Sequence, residues 1–224
     1  MKKNRRFFPI VVVLSAFVFL SGCVDSRVVN VDSRGTSIIC FGDSLTIGYG
    51  VEEEHSYPSV MAKLVLSGVP VINAGIEGDR TEEALKRFKT DVLEKDPFLV
   101  IIEFGANDFF TRVPMADTLN NLQVMLRLLQ ENKVMVALVD ISTSFVMEEY
   151  SKPYRQLAKQ YGAIFVPQVL DGIIAEPSLK SDFMHPNAAG YKIIAHRIYR
   201  AVLPYLNRNL ILNRFRSRLM QGRP

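Results

Sequence analysis

The chain of 224 residues is long enough to close one sizeable domain over its own core, and its 48% hydrophobic and 22% charged residues exclude a disordered or low-complexity polymer. Its 27 Lys and Arg against 23 Asp and Glu do not argue for a nucleic-acid partner, because four of the basic residues and no acid fall in residues 1–22, which leaves 23 against 23 beyond them. With only Cys23 and Cys40 and no CxxC or zinc-type spacing, neither a disulfide framework nor a metal site is indicated.

Lys2, Lys3, Arg5 and Arg6 precede an apolar run from Phe7 to Leu20. That run falls short of the roughly 20 residues a spanning helix needs, so it reads as the hydrophobic centre of a signal peptide. It closes on Leu20-Ser21-Gly22-Cys23, which resembles the bacterial lipoprotein signal, cut before the cysteine that then carries lipid. The alternative is an uncleaved N-terminal anchor. Residues 1–22 are thus expected as the signal peptide and 23–35, polar and aperiodic, as a lipidated tether. The resemblance implies a lipid-anchored protein of the bacterial cell envelope, membrane-bound through Cys23. Val24 in place of Asp after that cysteine fits the periplasmic face or the outer membrane of a host that has one. Cys40 is left as a small buried hydrophobe.

After the tether, strand-like and helix-like segments alternate through residues 36–204. Strands are expected at Ser37 to Phe41, Val69 to Asn73, Phe98 to Phe104, Val134 to Ile141 and Ala163 to Val166, helices at Tyr57 to Leu66, Thr81 to Leu93, Met115 to Gln130, Glu148 to Gln160 and Pro186 to Val202. Continuous apolar strands such as FLVIIEF, separated by helices, predict a five-stranded parallel sheet covered on both faces, an α/β domain of three layers, α/β/α. Residues 205–224 form a basic tail, with Arg208, Arg214, Arg216, Arg218 and Arg223 and no acid after Tyr205. Interleaved with Leu206, Leu210, Phe215 and Leu219, these arginines suit either a solvated, frayed terminus or an anionic membrane surface.

A parallel sheet gathers the segments that follow its strands at one edge. Here those segments are Gly42-Asp43-Ser44, then Asn73 to Asp79, then Gly105-Ala106-Asn107-Asp108, with Asp182-Phe183-Met184-His185-Pro186 before the last helix. Ser44 either caps the next helix or faces a cleft as a nucleophile. A serine nucleophile needs a base, and the base needs an orienting partner. Of three histidines, His196 falls in an apolar helix pattern and His55 in a polar loop, whereas His185 is held before Pro186 at a helix start. Asp182, three residues earlier, either orients that imidazole or caps the helix. Donors for an oxyanion are the Ser44 N–H, the Gly78 N–H and the Asn107 amide, although Gly and Asn also serve as plain turn formers.

Four blocks in this order, GDSLT, NAGIEGD, GAND and DFMHP, resemble the SGNH hydrolases, the GDSL esterases and lipases, and within them the thioesterase I, lysophospholipase L1 and arylesterase group. The resemblance covers roughly residues 36–202. It implies a flavodoxin-like SGNH fold, Ser44 as nucleophile, His185 as base, Asp182 as its orienter, and Ser44, Gly78 and Asn107 as the oxyanion hole. It implies no cofactor and no metal. The expected activity is hydrolysis of acyl esters, of the lysophospholipid, aryl ester or thioester class, through an acyl-enzyme. A carbohydrate or peptidoglycan O-acetylesterase is the alternative, and an inactive surface-binding lipoprotein of the same fold is a second. Phe109, Phe110, Phe183 and Met184, together with Phe145 and Met147, lie in loops around the site and are expected either to line an acyl groove or to pack beneath it. Too few histidines argue against a two-metal phosphoesterase, and G-x-S-x-G and GxGxxG are absent.

Overall fold

The computed structural model describes residues 28–65 and 68–221. The signal segment 1–22, Cys23 and Arg223 lie outside the described residues. Five strands, β1 (Ser37–Gly42), β2 (Val71–Gly75), β3 (Pro97–Glu103), β4 (Met135–Val139) and β5 (Ile164–Val166), form one parallel sheet in the order β2-β1-β3-β4-β5. Strands β1, β3 and β4 are buried along their whole length, which explains their unbroken apolar sequences. The edge strand β2 is only half-buried and starts two residues later than expected, since such a strand has no strict apolar alternation to fix its bounds.

Helices cover both faces. Right-handed crossovers place α2 (Tyr57–Leu64), which links β1 outward to β2, on one face. Helices α3 (Thr81–Asp91), α5 (Met115–Glu131) and α6 (Glu148–Gln160), which lead the other way, take the opposite face. The last helix, α7 (Ala188–Gln221), packs against α2. From β1 the chain steps outward to β2 and then back past β1 to β3, so the order reverses between β1 and β3. At the carboxyl ends of those two strands, open α/β sheets form their crevice. Two short helices that periodicity could not show start there, α1 (Ser44–Ile47) and α4 (Ala106–Phe110).

Two expected boundaries move. The last helix does not begin at Pro186: Asn187 caps it, its Oδ1 accepting the Ala189 and Gly190 N–H groups at 3.0 and 3.2 Å, while Pro186 forms a one-residue bridge with Lys180. Nor does it end at Val202, but continues through Pro204, so residues 205–218 are an ordered extension of the domain and not a frayed tail. What holds it is a polar dock. Buried Asn209 donates to the carbonyls of Val31 and Ser33 at 2.8 and 2.9 Å, Asn213 donates to Ser33 at 3.0 Å, and Arg216 pairs with Asp32. The same contacts shorten the tether. Residues 28–35 lie on the amino ends of the strands, with the Val29 N–H on the Gly162 carbonyl at 2.9 Å and the Asn30 amide on the Val134 carbonyl at 3.1 Å. No described helix is long and apolar enough to cross a membrane.

Candidate active site

The turn after β1 sets Ser44. Asp43 caps α1, its Oδ1 accepting the Leu45 N–H at 3.1 Å, and Ser44 becomes the first helical residue. Gly42 admits no side chain, because a Cβ there would collide with Thr46 Oγ1 and the Glu103 backbone. Across 141 positions of sequence, His185 Nε2 lies 3.1 Å from Ser44 Oγ. His185 Nδ1 lies 2.8 Å from Asp182 Oδ2, and the other Asp182 oxygen accepts the backbone N–H groups of Met184 and His185 at 2.7 and 2.8 Å. Partial burial raises the Asp182 carboxyl, but the hydrogen bonds from His185 and Met184 outweigh it and hold the group below the usual carboxylate range. An ionised Asp182 only accepts, so Nδ1 carries the proton and the Nε2 lone pair faces the Ser44 hydroxyl. The ring of Tyr49 packs on the imidazole, centroids 4.5 Å apart.

The second block arrives from the end of β2. Gly78 sits at φ 78°, a left-handed conformation that glycine adopts without penalty. Its loop is tied at both ends: the Ile76 N–H bonds the Gly42 carbonyl at 3.1 Å, and the Asp79 carbonyl accepts the Asn107 amide at 3.0 Å. Arg87 of α3 fastens the same region. It bonds Asp79 Oδ2 at 2.6 Å and the carbonyls of Ala74 and Gly42 at 2.9 and 3.1 Å, with its guanidinium 4.4 Å from the centre of the Phe41 ring. Among the described residues, the N–H groups of Ser44 and Gly78 have no hydrogen-bond partner. Arg87 was missed from sequence because it stands in mid-helix, with no motif to mark which way it reaches.

Beneath the site lies a carboxyl pair with almost no solvent contact. Asp43 and Glu103 are 0% and 1% exposed. Burial raises both, and the charge of Asp43 raises Glu103 further, so the pair holds a proton to higher pH than free carboxylates do. Glu103 Oε2 accepts from Thr46 Oγ1 at 2.8 Å, while Oε1 has no hydrogen-bond partner among the described residues. Asp43 Oδ2 in turn receives the Asn107 amide at 3.2 Å. Asp108, also buried, serves another end: it accepts the Thr81 N–H at 3.0 Å and caps α3. Burial pushes the Cys40 thiol up to about 12, which keeps this lone cysteine of the core inert.

From Ser44, His185 and Asn107 a cavity of about 320 Å³ opens, lined mostly by apolar side chains. Phe110, Phe145, Phe183 and Met184 form its mouth, with Phe183 86% exposed, and Met147 closes its wall. Phe109 is a correction. Helix α4 turns its ring inward onto Tyr150, 5.9 Å between centroids, so it supports the cavity from behind and does not line it. The rest of the lining includes Leu45, Ala106, Val146, the polar Thr143 and Lys180, and Ile141, Leu170 and Ile174. The last three stand in loops after β4 and β5, where no sequence pattern sets them apart from ordinary core residues.

The profile of the GDSL-like Lipase/Acylhydrolase family matches residues 40–193, and the chain belongs to that family. Its five-stranded parallel α/β fold is that of the SGNH hydrolases, and the protein is a serine ester hydrolase of the GDSL type. The arylesterase of Vibrio mimicus is 29% identical over 181 residues, 75% of this chain and 89% of the relative. Thioesterase 1/protease 1/lysophospholipase L1 of Escherichia coli K12 is 24% identical over 177 residues, 76% and 85% of the two chains. Among solved structures, the psychrotrophic esterase EstA from Pseudoalteromonas sp., inhibited by monoethylphosphonate, superposes with a TM-score of 0.67 at 26% identity, covering 77% of this chain and 99% of that one.

The protonated pair predicts a specific pH dependence. A buried acid that keeps its proton in the fold but loses it on unfolding stabilises less as pH rises from its unfolded value, about 4.3, toward its folded one. Glu103→Gln keeps a neutral side chain of nearly the same shape and removes that titration. Relative to the wild type, the variant therefore gains stability with rising pH, by at most about 1.4 kcal/mol per unit, in urea titrations between about pH 5 and 8. A stability difference independent of pH would show that Glu103 is ionised in the fold.

Proposed function

We propose that Ser44 is the nucleophile of this hydrolase, His185 its base and Asp182 the residue that orients the base. The observation that carries this is the 3.1 Å contact between Ser44 Oγ and His185 Nε2 at the inner end of an apolar cavity. Ser44 Oγ attacks the acyl carbonyl carbon as its proton passes to Nε2, and Asp182 accepts from Nδ1 throughout. The unpartnered N–H groups of Ser44 and Gly78, with the Asn107 amide, meet the oxyanion; Asn107 then exchanges part of its bonding to Asp79 and Asp43 for the substrate oxygen. The imidazolium protonates the departing alcohol or thiol, leaving an acyl-enzyme on Ser44. Water, deprotonated by the same imidazole, attacks this ester and releases the acid.

The favoured substrate class is an ester or thioester with an apolar acyl or aryl group. A cavity of 320 Å³ lies at the small end of the usual range for ligand sites, and its walls give few polar partners for a sugar hydroxyl, which argues against an O-acetylated carbohydrate. Phe110, Phe145, Phe183 and Met184 supply the apolar mouth. The names of two of the relatives, an arylesterase and a thioesterase 1/protease 1/lysophospholipase L1, fit the same class, whereas the acetylxylan esterase of Geobacillus stearothermophilus, 26% identical over 160 residues, fits the O-acetylesterase alternative. For the N-terminus, the lipoprotein-like Leu20-Ser21-Gly22-Cys23 supports lipid anchoring in the cell envelope through Cys23.

Three measurements test this. Ser44→Ala lowers kcat for p-nitrophenyl esters by about 10³-fold or more, and Asn107→Ala by about 10²- to 10³-fold, with no metal added and no effect of chelator; full activity in Ser44→Ala would remove the assignment. In a chain-length series of p-nitrophenyl esters, kcat/KM rises from acetyl to acyl chains that fill the cavity, whereas a maximum at acetyl returns the reading to an O-acetylesterase. Finally, a labelled fatty acid supplied to cells is incorporated into the wild-type chain and not into Cys23→Ala; equal labelling of both would disprove anchoring at that cysteine.

A further inference from the structure

Residues 205–218 lie beyond the span shared with the family, and the site makes no use of them. The polar dock of Asn209, Asn213 and Arg216 occupies one side of α7. At 100° per residue, Arg208, Ile211, Arg214, Phe215 and Arg218 fall within an arc of about 120° on the other side. All five are exposed, Ile211 by 66% and Phe215 by 63%. Two large apolar side chains between three arginines, with no acid on this stretch of helix, is the composition of a surface helix that lies in the plane of a membrane, its apolar residues among the acyl chains and its cations at the headgroups. Arg216, the remaining arginine of this stretch, is spent on Asp32.

We infer that this face of α7 docks on an anionic lipid bilayer, with Ile211 and Phe215 inserted and Arg208, Arg214 and Arg218 on the headgroups. The position of the helix supports this occupant over a protein. Asn209 and Asn213 clamp the N-terminal segment at Val31 and Ser33, and Cys23 is only five residues upstream of Val28, at most about 18 Å of extended chain. A lipid on Cys23 and this helix face therefore reach the same surface from one edge of the molecule. The two act separately, so the helix binds with or without acylation.

The test uses the chain from residue 23 onward with Cys23→Ser, so that no acyl group contributes, sedimented with vesicles of phosphatidylcholine alone or mixed with phosphatidylglycerol. Binding is expected to the mixed vesicles and not to the neutral ones, and to weaken with salt. Each arginine at an anionic surface contributes roughly fivefold to the partition coefficient, so Arg208→Gln/Arg214→Gln/Arg218→Gln lowers it about a hundredfold. Phe215→Ser lowers it as well, while hydrolysis of a soluble p-nitrophenyl ester by both variants is unchanged. If the triple variant loses that hydrolysis through misfolding, Arg214→Gln alone carries the test with its fivefold loss. Equal binding to both vesicle types, unchanged binding of the arginine variants, or a dimer dissolved by Phe215→Ser without any vesicle binding would each overturn the inference.

Discussion

The buried carboxyl pair of Asp43 and Glu103 underlies the geometry of the site. Both groups are sealed beneath the crevice, where two full charges close together would be expensive to hold. Donors surround the pair: the Leu45 N–H and the Asn107 amide on Asp43, and the Thr46 hydroxyl on Glu103. These donors come from the helix after β1 and the helix after β3, and Glu103 itself ends β3. Asp43 thereby fixes the backbone from which Ser44 points and holds Asn107 within reach of the same place. The neighbour of Ser44, rather than Ser44 itself, is what ties the adjacent strands β1 and β3 together at this edge.

Arg87 does for the second block what Asp43 does for the first and third. It bonds two strand-end carbonyls and the Asp79 carboxylate, so the Gly78 loop cannot drift from β1 without breaking three hydrogen bonds to one guanidinium. A planar fork with five donors suits such a junction, and lysine would leave most of these acceptors unmet. By contrast, His185 sits on a local device. The Asp182 carboxylate holds the backbone of Met184 and His185 with one oxygen and the imidazole with the other, so a turn of four residues carries both imidazole and carboxylate.

This difference accounts for what could be read from the sequence. Local devices leave local signatures: Asp182 and His185 are three positions apart, Gly78 announces a left-handed turn, and the apolar runs of β1, β3 and β4 are fully buried strands. That Ser44 and Asn107 meet at one edge of a parallel sheet followed from the alternation of elements; the reversal of strand order between β1 and β3 did not. Features made by distant partners left none. Glu103 looks like one polar residue in FLVIIEF, Arg87 like any helix-surface cation, and Phe109 cannot be told from Phe110 until α4 turns one inward and the other to the cavity mouth. The extension of α7 past Pro204 was hidden for the same reason. Its support is Val31 and Ser33, nearly the full length of the chain away, and a proline followed by arginines reads as an ending.

The direction of α7 sets the site and the proposed lipid-docking face at opposite ends of the molecule. The helix starts three residues after His185, at the carboxyl edge of the sheet, and reaches its Asn209 dock 21 residues later, about 30 Å further along its axis at 1.5 Å per residue. The residues it meets there lie against the amino edge, beside the carbonyls of Asp96, Val134 and Gly162 that receive the N-terminal segment. A bilayer bound at that end lies across the thickness of the domain from the cavity mouth. In that proposed arrangement the lipids of the supporting leaflet lie out of reach of Ser44. Esters that arrive from the aqueous side as single molecules, with an apolar group small enough for a 320 Å³ cavity, satisfy both the position of the mouth and its chemistry.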